Sequence, residues 1–171
     1  MQNLHPLVVH FPIGLLFTSA VVALWAQATN RPGAHLVGRV LLWLGTVAAA
    51  AAVISGFLGA QSVARVPGAH DVIEEHEKYA YVLLALSCAL SGWALVAYKR
   101  RKASPAPAAP WVLGQVLLLA MIVLTAKEGG ELVHELGVGT KLTAPGGPLY
   151  DPMMQSQAAP DSSVPTGKDF R

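Results

Sequence analysis

Apolar residues run almost unbroken through four stretches, Leu7 to Ala28, Leu36 to Leu58, Tyr79 to Tyr98 and Trp111 to Ala126, and polar residues collect between them. A helix rises about 1.5 Å per residue, so about 20 apolar residues cross about 30 Å of hydrocarbon. Each stretch approaches or exceeds that length. The first three hold no acid and no lysine, and Arg39 sits near one end of the second. The pattern predicts an all-α fold, a four-transmembrane-helix bundle with spans at 7–28, 36–58, 79–98 and 111–134. Ala26-Gln27-Ala28 has the small residues of a signal-peptide cleavage site, but the run before it is long and lacks a basic start, which favours a retained helix.

After Gly137 the apolar period ends and Gly, Pro, Ser and Asp dominate. Residues 1–140 therefore read as the transmembrane domain and 141–171 as an extended tail without a core of its own. Gly45, Ala48 to Ala52, Ser55, Gly56 and Gly59 form a small-residue stripe suited to close helix packing. Trp25, Trp43, Trp93, Trp111, Tyr79, Tyr81 and Tyr98 fall mostly toward stretch ends, as an aromatic belt does.

Composition agrees with a membrane protein: 53% of residues are hydrophobic and only 13% charged. The charges also orient it. Arg31, Arg39 and the run Lys99-Arg100-Arg101-Lys102 lie on one side with no acid, whereas all 10 acidic residues lie on the other. Positive loops stay in the cytoplasm, so both termini, the tail and the loop from Gly59 to Lys78 are expected in the periplasm of a bacterial inner membrane. The net charge of +2 hides this asymmetry and implies no nucleic-acid partner. Cys88, mid-stretch and alone, reads as a packing residue.

Five of the six histidines, His5, His10, His70, His76 and His134, fall at the periplasmic ends, and only His35 lies at the other. Imidazoles from several helices at one depth can surround a metal or haem iron. In His5-Pro6-Leu7-Val8-Val9-His10-Phe11-Pro12, Pro12 cannot donate to Val8, so a bend is expected just beyond His10. His5 and His10 lie about 140° apart around a helix, so His5 reads as an interfacial cap and His10 as the residue aimed into the bundle. His76 follows Glu74 and Glu75 at a helix start, where Glu75 is placed to accept the second ring N–H of a ligating imidazole. His70, after Pro67-Gly68, reads as a loop residue. Glu131 and His134 share a helix face, and Gly129-Gly130 beside them admits a close neighbour, a second helix or a flat macrocycle. A di-iron site needs this Glu-x-x-His on two helices, and only one copy exists.

The N-terminal His5-Pro6 and His10-Phe11-Pro12-Ile13-Gly14, the histidine opening the third helix, and Gly129-Gly130-Glu131-Leu132-Val133-His134-Glu135-Leu136-Gly137-Val138-Gly139 resemble the bacterial membrane family called domain of unknown function 2231. The resemblance covers Leu4 to about Thr140 and carries over His5, His10, His76 and His134. Relatives joined to cytochrome c or Rieske-type domains imply a place beside redox chains. This chain lacks such a domain, so a redox partner would be a separate one.

Two functions follow as expectations. In the first, the bundle is an electron-transfer subunit holding a b-type haem through two of His10, His76 and His134, with His10 and His76 preferred and His5, Glu75 and Glu131 in support. Its partners would be cytochrome c or quinone-linked subunits. A variant places copper or zinc on the same histidines. In the second, no cofactor is bound and the chain is an accessory subunit of a larger membrane complex. No inverted repeat points to a transporter, and no nucleophile is paired with a base for a hydrolase.

Overall fold

The computed structural model describes residues 5–63, 69–100 and 108–134. Its helices are α1 (His5–Val8), α2 (His10–Thr29), α3 (Pro32–Val63), α4 (Ala69–Lys99) and α5 (Ala108–His134). The expected tail, 141–171, lies outside the described residues. Among the described residues, four segments are long and apolar enough to cross a membrane: His10–Thr29, Pro32–Leu58, Asp71–Lys99 and Ala109–Glu131.

The helices differ from the apolar stretches at their ends, for local reasons. α3 starts at Pro32, before the apolar run, because proline suits a first helical position. α4 starts ten residues ahead of Tyr79, with Asp71 in its first turn, where a carboxylate favours the helix dipole. Hydropathy marks the segment that lipid requires, not the polar turns that continue the same helix. α1 and α2 form one path with a fault. Val9 keeps helical angles, φ −64° and ψ −23°, but Pro12 supplies no N–H to the Val8 carbonyl, and Ile13 N next reaches Val9 O at 3.4 Å. The helix is interrupted at Val9, between α1 and α2, where the bond from residue 12 to the Val8 carbonyl is missing.

Asn30 ends α2 in the left-handed region at φ 53°, which its short polar side chain tolerates, and Arg31 alone separates it from α3. Arg31 lies over Trp25 at 5.5 Å from the ring centroid, anchoring the turn at an interface. The helices then pack in a closed ring, α2 on α3, α3 on α4, α4 on α5 and α5 on α2. Successive helices that pack as neighbours give an up-and-down bundle, with α3 and α5 on a diagonal.

The side chains are sorted for lipid. The interior holds Ser19, Ala20, Ala23, Ala26, Ala49, Ala94 and Ala97 around Leu16, Leu42 and Leu118, whereas Phe17, Val21, Leu44, Val47, Ile54 and Val123 are exposed. Large apolar groups lose nothing by facing hydrocarbon, so small residues take the interior and let backbones approach. Gly45 shows how closely: a Cβ there would stand 2.7 Å from Leu16 Cδ2 and 3.1 Å from Leu16 N. Interior hydroxyls find acceptors, since water is not at hand. Ser19 Oγ donates to Gly38 O at 2.9 Å, and Thr46 Oγ1 lies 2.8 Å from Ser91 Oγ. Edge-to-face pairs, Trp43 with Tyr98 and Trp93 with Trp111, close the end that carries Arg31, Lys99 and Arg100, the basic end of the bundle.

Candidate functional site

The acidic end is built where the first turns of α4 meet the last turns of α5. α4 carries Glu74, Glu75, His76, Glu77 and Lys78 there, and α5 carries Thr125 to Glu131. Lys78 and Glu74 pair at 2.9 Å on the exposed surface, a contact worth little stability. His76 lies two turns inside α4 and not at its start. Its ring is half-buried against α5, and Nδ1 lies 3.1 Å from the Thr125 carbonyl oxygen. A carbonyl can only accept, so Nδ1 donates and Nε2 keeps the lone pair.

Gly129 makes this approach possible. A Cβ at that position would stand 3.1 Å from His76 Cε1 and 3.4 Å from Nδ1. The neighbour that the Gly129-Gly130 pair admits is thus an imidazole from the adjacent helix. Glu128 is buried to 7% exposure, with Lys127 Nζ 3.1 Å from its Oε1. The arrangement offers one nitrogen lone pair in a fixed direction.

The other expected site residues stand differently. His10 opens α2 and is exposed, and His134 closes α5 and is exposed. Five residues separate Gly129 from His134, about 7.5 Å along the axis. His134 is therefore set beyond the level of the His76 ring. Glu75 is exposed and Glu131 half-buried. The His5 and His70 side chains lie outside what is described. Among the described residues, no three His, Cys, Asp or Glu side chains converge as a metal site would need.

The structure also brings forward residues that the sequence reading passed over. Glu128 was counted only as one of the acids, and its burial follows from its place beside Gly129 at the α4 contact. At the basic end, His35 and Arg39 are each 5% exposed and share a face of α3 at i, i+4. On the diagonal helix, Trp111 and Gln115 do the same. Trp111 Nε1 and both amide atoms of Gln115 have no hydrogen-bond partner among the described residues. The signal was present: Gln115 is the one amide in its apolar stretch, and a buried polar group in lipid is costly unless paired.

A search of curated proteins and a search of solved structures each return no match. The family comparison does: residues 1–142, which span every described helix, match the model of the predicted membrane proteins called DUF2231, and the chain belongs to that family.

Proposed function

We propose that the chain is a small accessory subunit of a larger membrane complex, set in a bacterial inner membrane with its acidic end in the periplasm. The observation that carries this reading is the direction of the histidines. Two of the three residues expected to meet inside the bundle, His10 and His134, are exposed, and so are Glu74 and Glu75. Ionisable groups at the rim of a bundle suit hydrogen bonds to another chain, whereas a cofactor inside it needs them turned inward. Lipid covers the apolar sides, and the tail provides a tether.

A second reading keeps b-type haem, and one observation favours it. His76 donates Nδ1–H to a backbone carbonyl and presents Nε2, the usual arrangement of a ligating imidazole. The described residues supply one axial ligand, His76, since His10 is exposed and His134 is offset along the axis. The same limit applies to copper or zinc, which needs more ligands than His76 alone supplies.

The visible spectrum of the full chain, purified in mild detergent from the membranes that make it, decides between them. The accessory reading expects no Soret band and no metal at stoichiometric level. A Soret band with α and β bands on reduction, lost in His76→Ala, overturns it in favour of haem.

A further inference from the structure

The cations of the two ends are treated differently by the fold. At the acidic end each described lysine has a carboxylate: Lys78 Nζ lies 2.9 Å from Glu74 Oε1 and Lys127 Nζ 3.1 Å from Glu128 Oε1. At the basic end Lys99 and Arg100 are exposed, and among the described residues neither makes an ion pair. No acidic residue occurs in residues 1–70 or between Glu77 and Glu128, so the segments that build this end supply no counter-charge. Lys99-Arg100-Arg101-Lys102 instead sets four cations side by side.

The surroundings of Lys99 are those of a membrane interface. Tyr98 meets Trp43 edge-to-face at 6.0 Å between centroids, and Trp43 Nε1 donates to Ser91 O at 3.2 Å, so these residues join α4 to α3 in one seam. Tyr98 stays 52% exposed at the outer rim of that seam. Around the α4 axis, Leu95 and Lys99 lie about 60° and about 100° to one side of Tyr98, and both are exposed. On α3, Val47 and Val40 lie about 40° and about 60° to the outward side of Trp43, and both are exposed. The rim therefore runs from cation through aromatic ring to apolar side chains. That sequence of chemistries matches a phospholipid from headgroup to acyl chain. The sign of the charge selects the headgroup, since an anionic one is attracted and the ammonium of a choline lipid meets like charge.

We propose that the outer rim of the α3–α4 seam, at the basic end, binds an anionic phospholipid. Lys99 supplies the charge nearest the seam, its stem lying along the apolar surface and its ammonium reaching the phosphate. The Tyr98 hydroxyl donates a hydrogen bond at headgroup depth. Arg100 adds to the local field, and an acyl chain lies along Leu95, Val40 and Val47. The same cations complement the carbonyl end of α4, a role that needs no lipid. Lipid exchange separates the two.

The full chain in neutral detergent is given equal amounts of dioleoyl phosphatidylglycerol and dioleoyl phosphatidylcholine, and the lipid that stays bound is extracted and counted by mass spectrometry. The parent should retain phosphatidylglycerol in preference. Lys99→Gln and Arg100→Gln should each lower that preference, by up to about fivefold per charge removed, whereas Lys78→Gln at the acidic end should leave it unchanged. The preference should also fall in about 1 M salt, where charges are screened beyond about 3 Å. Equal retention of the two lipids overturns the proposal, as does a preference that Lys99→Gln and Lys78→Gln change alike. Inorganic phosphate, compared at constant ionic strength, should not displace the lipid; displacement would mean a site for a free anion and contradict a lipid site.

Discussion

Replacing Gly45 with alanine tests the packing that holds α2 on α3. The new methyl carbon would stand 2.7 Å from Leu16 Cδ2, 2.8 Å from Cγ and 3.1 Å from the backbone N, all well inside ordinary van der Waals contact. Leu16 is 0% exposed, so its side chain has little room to turn away, and its backbone nitrogen cannot move without α2. The helices must separate. Overpacking of this kind costs about 1–3 kcal/mol, and the better helix propensity of alanine returns at most about 1 kcal/mol. With the full propensity gain the net loss is about 0–2 kcal/mol, centred near about 1 kcal/mol. Gly92→Ala is the control, since a Cβ there meets nothing within 4 Å, and it should be neutral or gain up to about 1 kcal/mol. Unfolding in mixed micelles, titrated with sodium dodecyl sulfate and followed by circular dichroism, measures both. If Gly45→Ala and Gly92→Ala unfold at the same detergent fraction, the described contact between α2 and α3 is wrong.

Further expectations concern the acidic end, the kink and the topology. His76→Ala should cost about 1 kcal/mol from the lost bond to Thr125, and nitrogen-15 spectra of the parent should show the His76 proton on Nδ1; a proton on Nε2 alone contradicts the geometry. Pro12→Ala restores an N–H opposite the Val8 carbonyl, so residue 12 should gain a slowly exchanging amide and α1 should merge with α2; rapid exchange there would mean that the break at Val9 has another cause. Reporter fusions read the orientation: alkaline phosphatase joined after Lys102 should be inactive and after Thr140 active, and the opposite pattern would reverse the assignment of the acidic end to the periplasm.

The four helices were legible because lipid imposes a length and a composition that the chain cannot conceal. Their ends were less legible, since the polar turns from Ala69 to Lys78 belong to α4 although no hydrocarbon requires them. Pro12 announced the interruption between α1 and α2 at Val9. The histidine site was read from shared depth, but depth says nothing of the direction around a helix axis. His76 turned inward because Gly129 admits its ring, while His10 and His134 are exposed. The buried His35, Arg39, Trp111 and Gln115 were hidden by a similar limit. Arginine near a helix end reads as an orientation signal, and only the packed helices reveal that Arg39 is buried.

The central claim is that the exposed polar groups of the acidic end meet another chain. A photo-crosslinking residue placed at Glu75 or His134, activated in intact native membranes, tests it most directly, with Val47 on the lipid-facing side of α3 as reference. The account predicts a discrete protein adduct from both acidic-end positions and none from Val47. Adducts absent from Glu75 and His134, or equally abundant from Val47, would contradict it.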